Sequence, residues 1–540
     1  MTVAVVRRLI VFALLFALVT IAAVGLAGLL ERVIGLGTVL VVDTAGLARA
    51  LAFVLVGAPL ALVVWRWQRR RLAEPLERAS LVWSVYLAAM TLTSLTSTVI
   101  FAASAVTSAV EGEWRPDEVA AALVWAGVWM WHRRMRRSPD TVPTRLPALG
   151  TELSALFGLI VAAFCAGSAL AALISRALAS VAPVLFDSRP WYLGVLQPLV
   201  WAAIGMLVWW WHWAHERASR ARDALALVLL VTVVSGSASA SLFGIGTVLH
   251  TVLRLLFDVD PVAEILSPLG AAVAAGLVGA IVCVGHLRML PGRPPRVRVA
   301  TRLAVCGAAL IGAASGFGVV VNALLAGLDT TLVSDDPRTL LLGGLSALTV
   351  GVATWWPTWR PAHAVTVAES GDIGRRVYLV VVFGVSAVVA LVTLLLIGFR
   401  LFETLLGSGG DPGDVSIEGG LIERIRAPLG LLSAMVLVFV YHFVVWRRDR
   451  ALAPPVSRVP RVERVVLVAG RGSDPLAQHI REATGARVTL WEAADDRTPG
   501  GEADADAIVR QLQSLTAPRA LVVAGAGLAP RVIPLSGPAR

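Results

Sequence analysis

The chain predicts an all-α polytopic membrane protein, about twelve transmembrane helices in six parallel two-helix repeats, followed by a small C-terminal α/β cytoplasmic domain. Three observations lead there. Hydrophobic residues fill 57% of 540 positions and charged residues only 15%, against about 25% charged in soluble domains. Apolar runs of about 20 residues, enough to cross a hydrocarbon core of about 30 Å, recur up to Arg450. Finally, V-V-W-R-W-Q-R-R-R at Val63–Arg71 returns five times in looser form, each time closing a pair of apolar segments. The copies are W-M-W-H-R-R-M-R-R from Trp129, V-W-W-W-H-W-A-H-E-R from Val208, V-G-H-L-R from Val284, W-W-P-T-W-R from Trp355 and Y-H-F-V-V-W-R-R from Tyr441.

The six hairpins occupy residues 7–71, 79–137, 151–217, 222–290, 300–362 and 374–450 of a transmembrane domain spanning 1–450. Arg7-Arg8 ahead of an apolar run raises the question of a cleaved signal or twin-arginine signal. The run Leu9–Leu30 is too long for a signal core and lacks an A-x-A-like end, so it reads as an uncleaved first helix. The second hairpin pairs Leu81–Val110 with the short Pro116–Trp131, and the fifth pairs Leu303–Ala326 with the barely sufficient Leu340–Trp356.

Charge sets the orientation. Segments between hairpins carry arginines, such as Arg66, Arg69, Arg70 and Arg71, then Arg133, Arg134, Arg136 and Arg137, then Arg217, Arg220 and Arg222. Loops within hairpins lean acidic, with Glu111, Glu113, Asp117 and Glu118, then Asp258, Asp260 and Glu264, then Asp329, Asp335 and Asp336, then Asp411, Asp414 and Glu418. Because basic segments resist translocation, the arginine side is expected to be cytoplasmic, with both termini inside a bacterial inner membrane. The net charge of +11 comes from arginine alone, since the sequence has no lysine. That usage points to a GC-rich coding sequence and a bacterial source. It also assigns the basic balance to topology, so no nucleic-acid partner is expected.

An amphipathic indole prefers the headgroup level. Trp65, Trp67, Trp129, Trp131, Trp209, Trp211, Trp213, Trp355, Trp356 and Trp446, with Arg66, are therefore expected to anchor the hairpins at one interface. Hydroxyl-bearing and small residues gather on Leu81–Val110, at Ser235–Ser241 and at Gly312–Gly318. They suit close helix packing. The functional alternative is a narrow polar path lined by Thr93, Ser97, Ser237, Ser241 and Asn322. For Asn322 a helix-to-helix hydrogen bond suffices.

A Pro-rich linker at 451–460 precedes a small soluble domain at 461–540. There Arg464–Ala469 and Arg487–Glu492 read as strands around a helix Asp474–Thr484 ended by Gly485. Ala503–Leu515 reads as a second helix, and Ala520–Val523 and Val532–Leu535 as strands about a turn at Gly525–Gly527. Gly470-Arg471-Gly472-Ser473-Asp474-Pro475 occupies the place of a phosphate loop but lacks the third glycine and the lysine such loops use. Asp474 reads instead as an N-cap before Pro475.

Candidate chemistry is sparse. Cys165, Cys283 and Cys306 lie in apolar runs without CxxC spacing, so neither a disulfide framework nor zinc is indicated. His132, His212, His215, His286 and His442 sit near the Trp/Arg ends and read as interfacial side chains in place of haem or metal ligands. Arg32, Arg176, Arg254 and Arg400 lie near external helix ends, where arginine snorkels and where Glu31, Asp43 and Glu403 are close in sequence.

With W-W-W-H-W-A-H-E-R, G-A-P-L-A-L-V-V-W-R-W and R-R-V-Y-L-V-V-V, residues 7–450 resemble uncharacterised bacterial membrane proteins that share a tandem transmembrane domain of unknown function. The resemblance implies the architecture and carries no catalytic residues. The expected function is thus non-enzymatic, structural, sensing or partner-binding, with no cofactor and with 461–540 facing a cytoplasmic protein. The alternative is a transporter or channel for an apolar or neutral solute or a lipid.

Overall fold

The computed structural model describes residues 3–35, 43–179, 190–327, 337–363, 373–407, 421–452, 462–470, 473–492, 502–515, 517–525 and 528–535. The acids expected at 329–336 and 411–418, the linker at 453–460 and the turn residues 471–472 and 526–527 fall outside them. The chain divides into two compact units, Met1–Arg448 and Asp449–Arg540.

The first unit is helical. Its long helices are α1 (Val3–Ile34), α2 (Thr44–Arg71), α3 (Leu81–Val110), α4 (Pro116–Arg137), α5 (Leu149–Leu178) and α6 (Leu193–His215). They continue with α7 (Ala224–Phe257), α8 (Leu269–Leu287), α9 (Pro295–Ala326), α10 (Pro337–His363), α11 (Ile373–Gly407) and α12 (Leu421–Leu452). Most outrun their apolar cores by a turn or more at the arginine-bearing end, because backbone bonding continues where hydropathy stops. Among the described residues, eleven are long and apolar enough to cross a membrane. The exception is α4. Asp117 and Glu118 load its first turn and Arg134, Arg136 and Arg137 its last, which leaves a short apolar middle.

Where these helices face outward they are apolar. Val385, Leu391, Leu395 and Phe402 of α11 are all more than half exposed, as are Phe164 of α5 and Phe243 of α7. An aqueous protein does not carry apolar surface of that extent, so the unit is membrane-embedded.

Inside the bundle, close approach depends on small residues. A Cβ on Gly205 of α6 would lie 2.6 Å from the Ala162 nitrogen of α5, and one on Gly158 of α5 would lie 2.5 Å from the Trp209 nitrogen. Without the methyl, backbones touch and dispersion replaces the hydrophobic drive that lipid removes. Two helices contain a π-helical turn. In α2 it covers Phe53–Gly57, just before Pro59 withdraws its N–H from the ladder. In α6 it covers Trp211–His215, where Glu216 N–H bonds to the Trp211 carbonyl at 2.9 Å.

The second unit carries a four-stranded mixed sheet in the order β2-β1-β3-β4: β1 (Arg464–Ala469), β2 (Arg487–Glu492), β3 (Arg519–Gly525) and β4 (Leu528–Leu535). β1 runs parallel to β2 and β3, and β4 antiparallel to β3. Val465, Leu467, Ile480, Ile508 and Leu512 fill its core beneath α13 (Asp474–Thr484) and α14 (Glu502–Ser514). Gly485 ends α13 at φ 70°, a left-handed value that glycine adopts without a Cβ penalty. The N-cap differs from the sequence reading. Ser473 occupies it, and Asp474 lies in the first turn, where its charge favours the helix dipole.

Candidate functional site

The arginine-rich ends of the helices hold buried acids. Glu77, on the short helix Pro75–Arg78, is 4% exposed and takes hydrogen bonds from Arg7 Nη2 at 3.0 Å and Arg8 Nε at 2.9 Å. Glu216, whose side chain is 5% exposed, takes them from Arg133 Nε at 2.6 Å, Arg136 Nη2 at 3.2 Å and Arg137 Nη2 at 3.3 Å. The α6 π turn, with Arg217 at φ 63°, sets the chain direction that brings Glu216 to the α4 arginines. Burial alone would raise the Glu216 carboxyl, but the guanidiniums of Arg136 and Arg133 outweigh it and hold the group below its ordinary value. The sequence treats these arginines as solvated topological markers. Several of them tie hairpins together.

A different acid remains unpaired. Glu152, in the first turn of α5, is 3% exposed, and neither carboxyl oxygen receives a hydrogen bond among the described residues. It lines a small pocket of about 40 Å³ with Trp209, Trp213, Leu230, His286 and Arg293. The Trp209 Nε1 is also buried without a partner. His286 Nδ1 lies 2.8 Å from the Val282 carbonyl. A carbonyl only accepts, so Nδ1 carries the proton and Nε2 of the neutral ring is left as an acceptor. Arg293 is held by the Ala221 carbonyl and, at 3.1 Å, by the Ser219 carbonyl.

That pocket adjoins a larger cleft of about 610 Å³ between α5, α7 and α8, and Leu156, Leu159 and Val233 line both. The cleft is apolar apart from the hydroxyls of Ser168, Thr232 and Ser237, and no charged side chain lines it. Phe164 and Ile160 on its wall are 74% and 57% exposed, so its mouth is at the outer apolar surface. A second cleft of about 540 Å³ lies further along α7, against α9 and α10, with His250 on its wall.

The residues of the expected polar path do not share any of these three cavities. Ser237 lines the α5/α7/α8 cleft, while its hydroxyl bonds to the Val233 carbonyl at 2.7 Å. Ser241 donates to the Gly276 carbonyl of α8 at 3.2 Å, a helix-to-helix bond. Thr93 and Ser97 are half-buried on α3, away from the cleft lining. Asn322 of α9 has a buried Oδ1 with no donor among the described residues.

The tryptophan set divides. Trp67 and Trp356 are exposed, as an interfacial anchor requires, and Arg66 beside Trp67 is exposed too. Trp65 is 8% exposed, 6.3 Å from Trp83 and edge-on to Trp131 at 5.7 Å, so it is a core residue. Trp129, Trp209, Trp211, Trp213, Trp355 and Trp446 are half-buried. Four histidines expected at the interface are buried as well. His132, His212, His286 and His442 each bond through Nδ1 to a valine carbonyl four residues back, at 2.8–2.9 Å. Helical backbone acceptors were available at every one of these positions, which hydropathy does not register. Among the described residues no group of three or more His, Cys, Asp or Glu could hold a metal ion.

Three of the four arginines expected at external helix ends meet acids, Arg32 with Asp43 at 3.4 Å, Arg254 with Asp258 at 2.8 Å and Arg400 with Glu403 at 2.9 Å, and Arg176 lies 5.9 Å from the Trp191 ring centre. Sequence reading missed Glu77, Glu152 and Glu216. The available signal was an acid standing inside an otherwise basic end.

A domain of unknown function (DUF5671) matches residues 8–126 and 297–432. The first match runs from α1 into α4 and the second from α9 into α12. Tyr86 and Tyr378 occupy like places in the two copies, each in a V-Y-L triplet, near His132 and His442 respectively, with ring centroids 6.0 Å apart in both pairs. The unit of repetition picked out in this way is four helices, twice the hairpin expected from the sequence. The cleft helices α5, α7 and α8 lie between the two matches. No curated protein and no solved structure matches the chain.

Proposed function

We propose that this is a non-enzymatic bacterial inner-membrane protein, with twelve crossings and both termini cytoplasmic, that takes an apolar or amphipathic molecule from the bilayer into the α5/α7/α8 cleft. The observation carrying this reading is the cleft itself. It opens among lipid-facing side chains, is apolar for most of its length, and adjoins the small pocket that holds the buried Glu152 carboxyl. Binding sites for small molecules have this form, an apolar wall with a few convergent polar groups. The cleft thus supports the transporter or lipid-handling alternative over a purely structural role for the membrane unit. A protein contact through 461–540 is a separate part of the proposal. Its support is Trp491, 63% exposed on the sheet-edge strand β2, because exposed edges and aromatics invite partners.

The full chain in lipid nanodiscs, photolabelled with a diazirine-bearing long-chain alcohol and mapped by peptide mass, tests the cleft. Label is expected on α5, α7 and α8. Gly236→Trp should remove most of it, since a side chain at Gly236 enters open space in the cleft. Label spread evenly over the lipid-facing helices and unchanged in Gly236→Trp would overturn the proposal.

A further inference from the structure

We infer that the molecule this cleft selects is an amphipathic cation, a long-chain or aromatic primary amine whose ammonium group enters the pocket at Glu152. The inference rests on the proposed uptake through the cleft and adds the chemistry of the polar end.

Three features point to a cation. The first is the count of charge. Glu152 has Asp223 and Arg293 as its charged neighbours, so two carboxyls, within reach of sharing one proton, face one guanidinium. Arg293 gives two of its five N–H groups to the Ala221 and Ser219 carbonyls, and no ion pair joins it to Glu152 among the described residues. One positive charge is wanting, and an incoming ammonium would supply it in place of the proton the two carboxyls share. The second feature is the set of acceptors. Both Glu152 oxygens are unfilled and His286 presents Nε2, which makes three acceptors for the three N–H groups of a primary ammonium. The third is the aromatic wall. Trp209 and Trp213 stack with centroids 6.0 Å apart, Trp213 lies 5.4 Å from His286, and both indoles line the pocket. Ring faces of this kind attract cations, the more so where water is excluded.

Size and polarity narrow the class. A pocket of about 40 Å³ has about three times the 10–15 Å³ that one water molecule needs by the same measure, room for a small polar head group and little more. An ammonium fits. A phosphate beside it would lie in the cleft, where only three hydroxyls and no cation could meet it. A zwitterionic phospholipid is therefore a poor occupant, and a simple amine with an apolar body a good one.

The test is a competition for the cleft photolabel in nanodiscs by an alkylammonium, an alcohol and a carboxylate of equal chain length. In the wild type the ammonium should compete at least tenfold better than the alcohol, and the carboxylate worst, as a charge-assisted hydrogen bond in a buried site implies. Glu152→Gln should abolish the preference for the amine while the alcohol still competes, which shows that the cleft remains folded. Should Glu152→Gln lose the label altogether, Trp213→Leu decides. It keeps the carboxyl and should reduce the amine preference about two- to fivefold by removing a ring face. Equal competition by amine and alcohol, with the label still mapped to the cleft, overturns the cation and leaves the uptake reading standing. Absence of label from α5, α7 and α8 removes both.

Discussion

Glu216 and Glu152 lie on either side of Thr151 and meet opposite fates. Thr151 Oγ1 is 3.4 Å from Glu216 Oε2, and Glu216 has three guanidiniums. Glu152, the next residue along α5, has no donor. The first is therefore a clamp between α4 and the α6 end, and the second is the group proposed to receive the ammonium. Glu216→Gln leaves partly buried guanidiniums without their counter-charge. A loss of about 3 kcal/mol is expected, at the low end of the range for breaking a buried pair because Arg137 is half exposed. Thermal unfolding in detergent reads it. The folded Glu216 carboxyl titrates below its ordinary value of 4.5, so its contribution is complete above that pH and is lost as pH falls through the folded value. The wild type should lose melting temperature below about pH 4.5. An identical acid loss in Glu216→Gln would show that another group is responsible.

At the scale of elements, hydropathy located the helices and small residues set how closely they pack. Gly205 and Gly158 bring α5 and α6 into backbone contact, while Gly194, at the start of α6, faces nothing within 4 Å. Gly205→Ala should cost about 1–3 kcal/mol through overpacking. Gly194→Ala should leave stability unchanged or raise it slightly, since alanine favours the helix. Equal melting temperatures for the two variants would mean that the α5–α6 contact yields freely. The π turn closing α6 belongs to this scale too. Nothing in W-W-W-H-W-A-H-E-R announces an extra residue in that turn, whose partners are tertiary: Glu216, just past it, meets the arginines of α4.

At the scale of the whole molecule, α4 is expected to cross the membrane. Its apolar middle is short, yet the alternation of basic and acidic connections keeps phase only if it does. Single cysteines at Ser138 and Ala221 are expected to react with an impermeant maleimide only from the inside, and cysteines at Glu113 and Val259 only from the outside. Native Cys165, Cys283 and Cys306 would first be replaced by alanine. Labelling of positions 113 and 138 from the same side would make α4 a non-crossing helix and invert every later hairpin.

Apolar length, the arginine ends and the Trp-rich repeat were enough to determine a helical membrane-embedded unit and a small C-terminal α/β domain, whose strand Arg464–Ala469 and helix Asp474–Thr484 are found at the expected bounds. These are local properties, set by transfer free energy and by backbone propensity, and they can be read along one chain. Which tryptophans face lipid and which lie in the core is not local. Trp65 and Trp67 are two residues apart, on different sides of α2. The same holds for the acids: Glu77, Glu152 and Glu216 look alike in sequence, and only packing decides which meets an arginine and which is left facing a cavity. Only the tertiary structure brought Glu152, Trp209 and His286 together from three helices at the end of one apolar cleft. Burial and charge pairing depend on neighbours distant in sequence, and that is the physical reason the site was not legible in the chain.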